Sequence, residues 1–221
     1  MTCYAAQVRP PEAKPDLEPA AGSARSAGAF AGRTQEEVLR AAAAGERWAH
    51  EELYDALYPF VARALQRILQ KVPEYEDLVQ TAFEQIVRAL QRPAAPKIEN
   101  LAAWSSAIAA RVAIDALRVR VRERRVFDRE LEPGRALEVV ADRGPERELD
   151  ARAELLWLQR TLVDMNAEQA EVVVLHDVLG HDLWEVARLV GVSPAAAQKR
   201  LSRGHIELKR RAARRTKADG S

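Results

Sequence analysis

The side chains best suited to chemistry in this sequence are cations, and they are concentrated toward its C-terminal end. Lys199, Arg200 and Arg203 are followed by a basic run made of Lys209, Arg210, Arg211, Arg214, Arg215 and Lys217. Guanidinium and ammonium groups bind phosphates and the edges of guanine, so such a cluster suits a nucleic acid. Basic residues at the end of a helix also complement its dipole, which would explain the run without a ligand. The net charge of +1 hides this asymmetry.

The segment 182–208 favours the nucleic-acid interpretation because it predicts a helix-turn-helix. Asp182 and Glu185 have capping-box spacing, Gly191 suits the end of that short helix, and Ser193 and Pro194 begin the next helix. Helical periodicity turns positions 197, 201, 204 and 208 inward. The opposite face and its flanks carry the candidate DNA-binding residues Ala195, Ala196, Gln198, Lys199, Arg200 and Arg203. Small residues there permit close approach to a groove, and the long side chains donate hydrogen bonds.

A second set of charged residues lies in the N-terminal half of the chain. Glu74, Glu76 and Asp77 begin a predicted helix, where carboxylates also stabilise the helix dipole. The following predicted helix carries arginines at 111, 118, 120, 122, 124 and 125. With a DNA-binding element downstream, we interpret this helix as a second phosphate-contacting surface rather than a solvated face.

Helices must position both sets of charges, and the sequence predicts an all-α protein. Thr34 and Glu37 form a capping box, and apolar residues spaced three and four apart predict helices over roughly 46–70 and 74–91. Pro59 is expected to kink or split the first of these. Prolines mark a loop over 92–99, and Asn100 is expected to cap the next helix. No strand-like alternation is found.

Shifts in composition along the chain predict two helical domains joined by a flexible linker. The expected organisation is a disordered tail 1–33, a first domain 34–127, a linker 128–147, a second domain 148–213 and a basic tail 214–221.

The composition also excludes several classes of function. Hydrophobic residues make up 48% and charged residues 30%, no stretch is long enough to span a membrane, and no signal peptide is evident. Cys3 is the single cysteine, which excludes an internal disulfide and makes a reducing, cytoplasmic setting the default expectation. His176 and His181 are five residues apart and poorly placed to share a metal ion. No catalytic set of side chains is recognisable, so we expect neither an enzyme nor a cofactor or metal.

Four motifs in order resemble the extracytoplasmic-function (ECF) sigma factors of bacteria, two-domain subunits that direct RNA polymerase to promoters. Residues 74–80, E-Y-E-D-L-V-Q, are similar to the family's acidic D-A-E-D-L-V-Q signature. Residues 103–118 are similar to its A-W-L-Y-R-I-A-R-N-L-A-I-D-x-L-R helix, and 166–175 to its L-P-x-x-Q-R-E-V-x-x-L run. Residues 185–201 are similar to its helix-turn-helix. The resemblance covers about 34–127, the family's region 2, and 148–211, its region 4.

The resemblance implies roles for the matched positions. Glu74, Glu76, Asp77 and Gln80 would meet the clamp helices of the polymerase β′ subunit. The loop 92–99 with Lys97, together with Asn100, would capture an unstacked base of the downstream promoter element, and Trp104, Arg111, Asp115 and Arg118 would lie in or beside the melting helix. The outward face of the second helix would read the upstream element. The implied partners are core RNA polymerase, through its β and β′ subunits, and promoter DNA. The family often has an anti-sigma partner, and nothing in this sequence identifies one.

The sequence departs from the family pattern within the recognition and melting helices. The departures are Ser105 and Ser106 in place of apolar or aromatic residues, Arg111 in place of a frequent asparagine, and Ala196 and Ala197 in place of threonine and valine. Two alternatives are a helix-turn-helix regulator that binds duplex DNA without polymerase, and an enzyme with an appended DNA-binding domain. The acidic motif and the arginine-rich helix disfavour the first, and the lack of a catalytic group set disfavours the second.

Overall fold

The computed structural model describes residues 30, 32–70, 72–92, 98–130 and 146–219, and within these residues the regular secondary structure is entirely helical. The elements in chain order are α1 Gln35–Ala43, α2 Arg47–Leu69, α3 Tyr75–Leu90, α4 Leu101–Glu130, α5 Glu146–Asp164, α6 Ala167–Val173, a π-helical turn Val174–Val178, α7 Leu183–Val190 and α8 Pro194–Asp219. We call α1–α4 the N-terminal region and α5–α8 the C-terminal region. The all-α prediction is confirmed. Lys97, most of the expected tail 1–33 and most of the expected linker 128–147 lie outside the described residues.

Helices α1 and α4 begin where the sequence places capping side chains. The Thr34 hydroxyl accepts a hydrogen bond from the Glu37 backbone N–H at 3.3 Å, and the Glu37 carboxylate accepts one from the Thr34 N–H at 2.8 Å. This completes the predicted capping box of α1. The Asn100 side chain accepts from the Ala103 N–H at 3.1 Å, so α4 begins as predicted.

Pro59 does not split the second helix, because α2 runs without interruption from Arg47 to Leu69. A proline inside a helix costs about 3 kcal/mol through its missing N–H and its clash with the preceding turn. Leu53 and Leu57 before Pro59, and Val61 and Leu65 after it, are all at most 2% exposed. Burial of this apolar stripe on both sides of the proline offsets the local penalty and keeps the helix continuous.

The core of the N-terminal region forms where α2 packs against α1, α3 and α4. In the C-terminal region, α8 packs against α6 and α7. The two regions also pack against each other, and their buried apolar residues form one continuous cluster. Phe30, which the sequence assigned to the tail, is 8% exposed and belongs to this cluster. The fold therefore presents the two predicted charged surfaces on one packed body.

Candidate nucleic-acid and protein interfaces

The outward face of α8 presents cations to solvent on a well-seated helix. Lys199 and Arg203 are exposed, whereas Ala197 and Leu201 on the opposite face are 0% and 4% exposed. Of the other predicted DNA-binding residues, Ala195 and Gln198 are exposed and Ala196 is half-buried. The predicted orientation of the helix is thus confirmed, and its exposed surface combines small residues with long donors, as a major-groove helix requires.

Arg200 differs from the other cations of α8 because it has an acidic partner. Its guanidinium lies 3.0 Å from the Glu168 carboxylate at the start of α6, and its side chain is 25% exposed. A phosphate or a base could contact Arg200 only by competing with this ion pair. The structure therefore separates Arg200 from Lys199 and Arg203, although the sequence grouped the three together.

The turn before α8 has the geometry that the sequence predicts. The Asp182 carboxylate accepts from the Glu185 N–H at 2.8 Å and starts α7. Gly191 ends α7 with a φ of 70°, the left-handed conformation that glycine adopts most readily. The Ser193 hydroxyl accepts from the Ala196 N–H at 3.2 Å and begins α8. Helix, tight turn and helix together form the predicted helix-turn-helix.

Part of the basic run beyond Arg203 is neutralised by acids inside the C-terminal region. Arg211 donates to Glu207 at 2.7 Å and also lies 3.3 Å from Asp164. Arg210 lies 3.1 Å from Glu207. The hydrogen bond from Arg211 lowers the pKa of Glu207, so this carboxylate stays charged. Arg211 also ties α8 to the end of α5 through Asp164. The exposed cations nearest the turn remain the stronger candidates for DNA contact.

The acids at the start of α3 are all exposed, and Glu74 is also held in an ion pair. Glu74 lies 2.6 Å from Arg120 of α4. Its pKa is lowered first by a hydrogen bond from its own backbone N–H and further by Arg120. Glu76, Asp77 and Gln80 are exposed. Glu74 therefore ties α3 to α4, whereas its neighbours are available to another molecule.

A shallow groove of about 650 Å³ accompanies the exposed acids of α3. Glu76, Asp77 and Gln80 line it together with Tyr54 of α2 and Phe83 of α3. The rings of Tyr54 and Phe83 are 4.5 Å apart, and Tyr54 is 43% exposed. A groove with an acidic rim and an aromatic floor suits a basic protein segment that also carries apolar side chains.

The predicted downstream DNA-binding residues do not form a single exposed patch. Asp115 and Arg118 pair at 2.9 Å on the surface of α4. Arg111 is half-buried, and its Nε donates to Glu171 of α6 at 2.6 Å. Asn100 donates to Glu185 of α7 at 2.5 Å. The N-terminal half of α4 therefore faces the C-terminal region, and only its later part is open to solvent.

Trp104 lies in a cleft between the two regions. The cleft has a volume of about 920 Å³, and its walls come from α3, α4 and α7. Asn100, Trp104 and Arg111 line it on one side, and Arg188 and Leu189 on the other. The predicted base-binding residues at the start of α4 therefore share this cleft with side chains of the helix-turn-helix.

Glu185 has a role that the sequence did not indicate. Its spacing from Asp182 predicted a capping box, and Asp182 supplies its half of that motif. The Glu185 carboxylate instead binds His181 Nδ1 at 2.8 Å and Asn100 at 2.5 Å, and the residue is only 8% exposed. The hydrogen bond from His181 is the largest factor that lowers the pKa of Glu185. Short-range spacing could not reveal this contact, because Asn100 is 85 positions away.

The two serines of α4 are buried and have local partners. Both hydroxyls donate to the Ala102 carbonyl, Ser105 at 3.0 Å and Ser106 at 2.8 Å. Buried hydroxyls with hydrogen bonds are tolerated where unpaired ones would be costly. These departures from the apolar family pattern are therefore compatible with a packed helix.

The described helices offer neither a metal site nor a membrane span. No group of three or more His, Cys, Asp and Glu side chains among the described residues is placed to hold a metal ion. In the same part of the chain, no helix combines the length and apolarity needed to cross a bilayer.

Comparisons with known proteins match both regions of the chain. Residues 53–123 match the family model for sigma-70 region 2, and residues 155–206 match that for sigma-70 region 4. The chain is 30% identical to the RNA polymerase sigma factor CarQ of Myxococcus xanthus over 171 residues, which are 75% of this chain and 90% of that protein. A solved structure of CnrH in complex with the cytosolic domain of CnrY is 22% identical and matches with a TM-score of 0.45, over 80% of this chain and 96% of that one.

Proposed function

Because the chain belongs to the sigma-70 family and is an RNA polymerase sigma factor of the ECF type, we propose that its two charged surfaces divide the work of initiation between them. The acidic groove of α3 binds the polymerase, and the exposed cations of α8 bind the upstream promoter element. The observation that carries this assignment is the exposure of Glu76 and Asp77 on one helix and of Lys199 and Arg203 on another.

The polymerase contact is made by Glu76, Asp77 and Gln80, in the manner of the β′ clamp-helix contact of the family. The carboxylates of Glu76 and Asp77 attract a basic partner over a distance set by the ionic strength. The aromatic rings of Tyr54 and Phe83 lie in the same groove and add apolar area that can be buried. Glu74 acts indirectly, because its ion pair with Arg120 fixes α3 against α4.

The upstream element is read in the major groove by α8. Lys199 and Arg203 can donate to base edges or phosphates, and Ala195 allows the helix backbone to approach the DNA. Gln198 lies beside them, and Arg200 joins the contact after its ion pair with Glu168 is exchanged for a phosphate.

The downstream element is opened along α4. Trp104 can stack on an unpaired base, Asn100 can hydrogen-bond its edge, and Arg111 and Arg118 can follow the strand's phosphates. Asp115 holds Arg118 in place through their ion pair. The mechanism consists of binding and strand separation.

A charge reversal in the acidic groove tests the polymerase contact. In the Glu76→Lys/Asp77→Lys variant, co-elution with core RNA polymerase should be lost while the circular dichroism spectrum is retained, because both residues are exposed. The matched control is Glu36→Lys/Glu154→Lys, which reverses two exposed carboxylates outside the groove. Unchanged co-elution of the groove variant, or equal loss in the control, would contradict the assignment.

A further inference from the structure

Glu168 forms an ion pair at the edge of the cationic face of α8. Its carboxylate lies 3.0 Å from the Arg200 guanidinium, and the side chains of Glu168 and Arg200 are 61% and 25% exposed. Around the helix, Arg200 lies about 60° from Arg203 and about 100° from Lys199. Arg200 is therefore recessed beside the two exposed cations, and Glu168 lies next to the surface that we assign to DNA.

The carboxylate of Glu168 belongs to a firmly placed helix terminus. Glu168 lies in the first turn of α6, where the helix dipole favours a negative charge, and its N–H donates to the Asn166 side chain at 3.0 Å. Ala170, two residues further along α6, is fully buried, and α6 packs against α8. The backbone of Glu168 is therefore fixed relative to Arg200.

Exchange of this carboxylate for a phosphate requires close and sustained contact. An ion pair that is partly exposed contributes little to stability, because water and salt screen it, so it can be broken. The phosphate that replaces Glu168 must reach a recessed guanidinium and pair with it directly. A phosphate held in one position beside Arg200 meets this requirement, whereas a phosphate that exchanges between many positions does not.

Random-sequence DNA and the promoter element differ in this respect. On random-sequence DNA, Lys199 and Arg203 can reach phosphates in many registers, because both side chains are exposed. On the promoter element, contacts to base edges fix one register and hold the phosphates beside α8 in place. We therefore expect Arg200 to stay paired with Glu168 on random-sequence DNA and to bind a phosphate on the promoter.

We propose that Glu168 is a specificity-determining residue, whose carboxylate keeps Arg200 from binding random-sequence DNA and gives it up to a phosphate when α8 is docked on the promoter element. Specificity is a difference between two affinities, and Glu168 increases this difference by weakening the non-specific complex. The inference rests on the proposed function for the assignment of α8 to the upstream element.

The first test measures how salt affects binding to random-sequence DNA. The full-length protein and its Glu168→Gln variant, which removes the charge and nearly retains the shape, are titrated into a labelled random-sequence duplex at several salt concentrations. Because the variant frees Arg200 for one more phosphate, the slope of log affinity against log salt should become steeper by about 0.9, and affinity at about 0.1 M salt should rise roughly fivefold. Glu154→Gln, which neutralises another exposed carboxylate of the C-terminal region, is the matched control and should leave the slope unchanged.

A double-mutant cycle separates the ion pair from simple charge repulsion. If Glu168 acts by holding Arg200, Glu168→Gln has no effect on the slope in an Arg200→Ala background. If Glu168 only repels phosphates, the effect of Glu168→Gln persists in that background and the proposal is wrong. Circular dichroism shows whether each variant keeps its fold, and Glu168→Ala removes the same charge as a second variant.

The second test measures specificity directly. A duplex that carries the upstream element is obtained by enriching a pool of random duplexes on the full-length protein. Glu168→Gln should bind the enriched duplex about as tightly as the parent protein does, so the ratio of specific to random-sequence affinity should fall roughly fivefold. A ratio equal to that of the parent protein and of Glu154→Gln would overturn the role assigned to Glu168.

The exposed cations of α8 distinguish a failure of this inference from a failure of the proposed function. Lys199→Ala/Arg203→Ala should weaken binding to both duplexes. If this variant binds DNA as tightly as the parent protein, or if no sequence is enriched, the assignment of α8 to the upstream element fails. If it binds weakly while Glu168→Gln behaves like Glu154→Gln, the proposed function stands and only the inference about Glu168 is wrong.

Discussion

At Gly204 the helix α8 packs closely against α6, and this contact fixes the position of the DNA-binding helix. A Cβ atom added at Gly204 would lie 2.5 Å from Cγ2 of Val173 and 3.7 Å from the Gln169 carbonyl oxygen and from Sδ of Met165. Val173 is 3% exposed, and a valine on a helix has one strongly preferred rotamer. The side chain of Val173 cannot rotate away from the added Cβ atom. One of the two helices must therefore shift when Gly204 is replaced by Ala.

Two opposing effects set the size of the change. Alanine is favoured over glycine in a helix interior by about 1 kcal/mol. Overpacking a well-packed core by an extra carbon typically costs about 1–3 kcal/mol. The contact at 2.5 Å places Gly204→Ala among the overpacked cases. We therefore expect the free energy of unfolding to fall by about 0–2 kcal/mol, although propensity alone would raise it.

Urea denaturation followed by circular dichroism measures this change, with Ser202→Ala and Ser202→Gly as a reference pair. Ser202 is exposed on the same helix, so the difference between its two variants gives the intrinsic preference for alanine. Adding Val173→Ala to Gly204→Ala removes the clashing methyl group, so the double variant should be less destabilised than the sum of the single changes. If Gly204→Ala stabilises the protein as much as the reference pair predicts, the close approach of α8 to α6 is refuted.

Three further predictions concern the DNA face, the first helix and the buried carboxylate. Lys199→Ala and Arg203→Ala should each weaken binding to the upstream promoter duplex by ~1–3 kcal/mol if the side chain contacts a base. Fluorescence anisotropy titrations measure this binding. If they show no change at any salt concentration, another face of the protein contacts the bases. Thr34→Ala should lower the free energy of unfolding by ~1 kcal/mol in urea, and recovery in Thr34→Ser would identify the lost cap as the cause. Because His181 lowers the pKa of Glu185, the stabilising contribution of this carboxylate is complete above the ordinary glutamate pKa and is lost as the pH falls through the lowered value. Glu185→Gln should therefore flatten the acid side of the stability–pH curve, and an unchanged curve would count against that contribution.

Local sequence signals predicted the helices and the orientation of α8 well. The caps at Thr34, Asn100 and Ser193, and the glycine that ends α7, act within a few residues of themselves, so their effect can be read from spacing. The apolar face of α8 follows from helical periodicity in the same way. Pro59 shows the limit of this reasoning, because burial elsewhere along α2 outweighs its local penalty.

Contacts between distant residues account for what the sequence did not predict. Arg111 contacts Glu171, which is 60 positions away in the sequence, and Asn100 contacts Glu185, which is 85 positions away. Each of these residues has an ordinary local interpretation as a surface charge or a cap. Only the packing of the two regions shows that they bind each other. The ion pair of Glu74 at the start of α3 likewise depends on Arg120 of another helix.

Transcription from defined start sites tests the central claim most directly. Core RNA polymerase of the host bacterium is incubated with fragmented host DNA, with and without the full-length protein, and the 5′ ends of the transcripts are mapped. We expect a set of start sites that requires the protein, shares one upstream and one downstream element, and is lost with Glu76→Lys/Asp77→Lys. The same start sites without the protein, or no protein-dependent start sites despite binding to the core enzyme, would contradict the account.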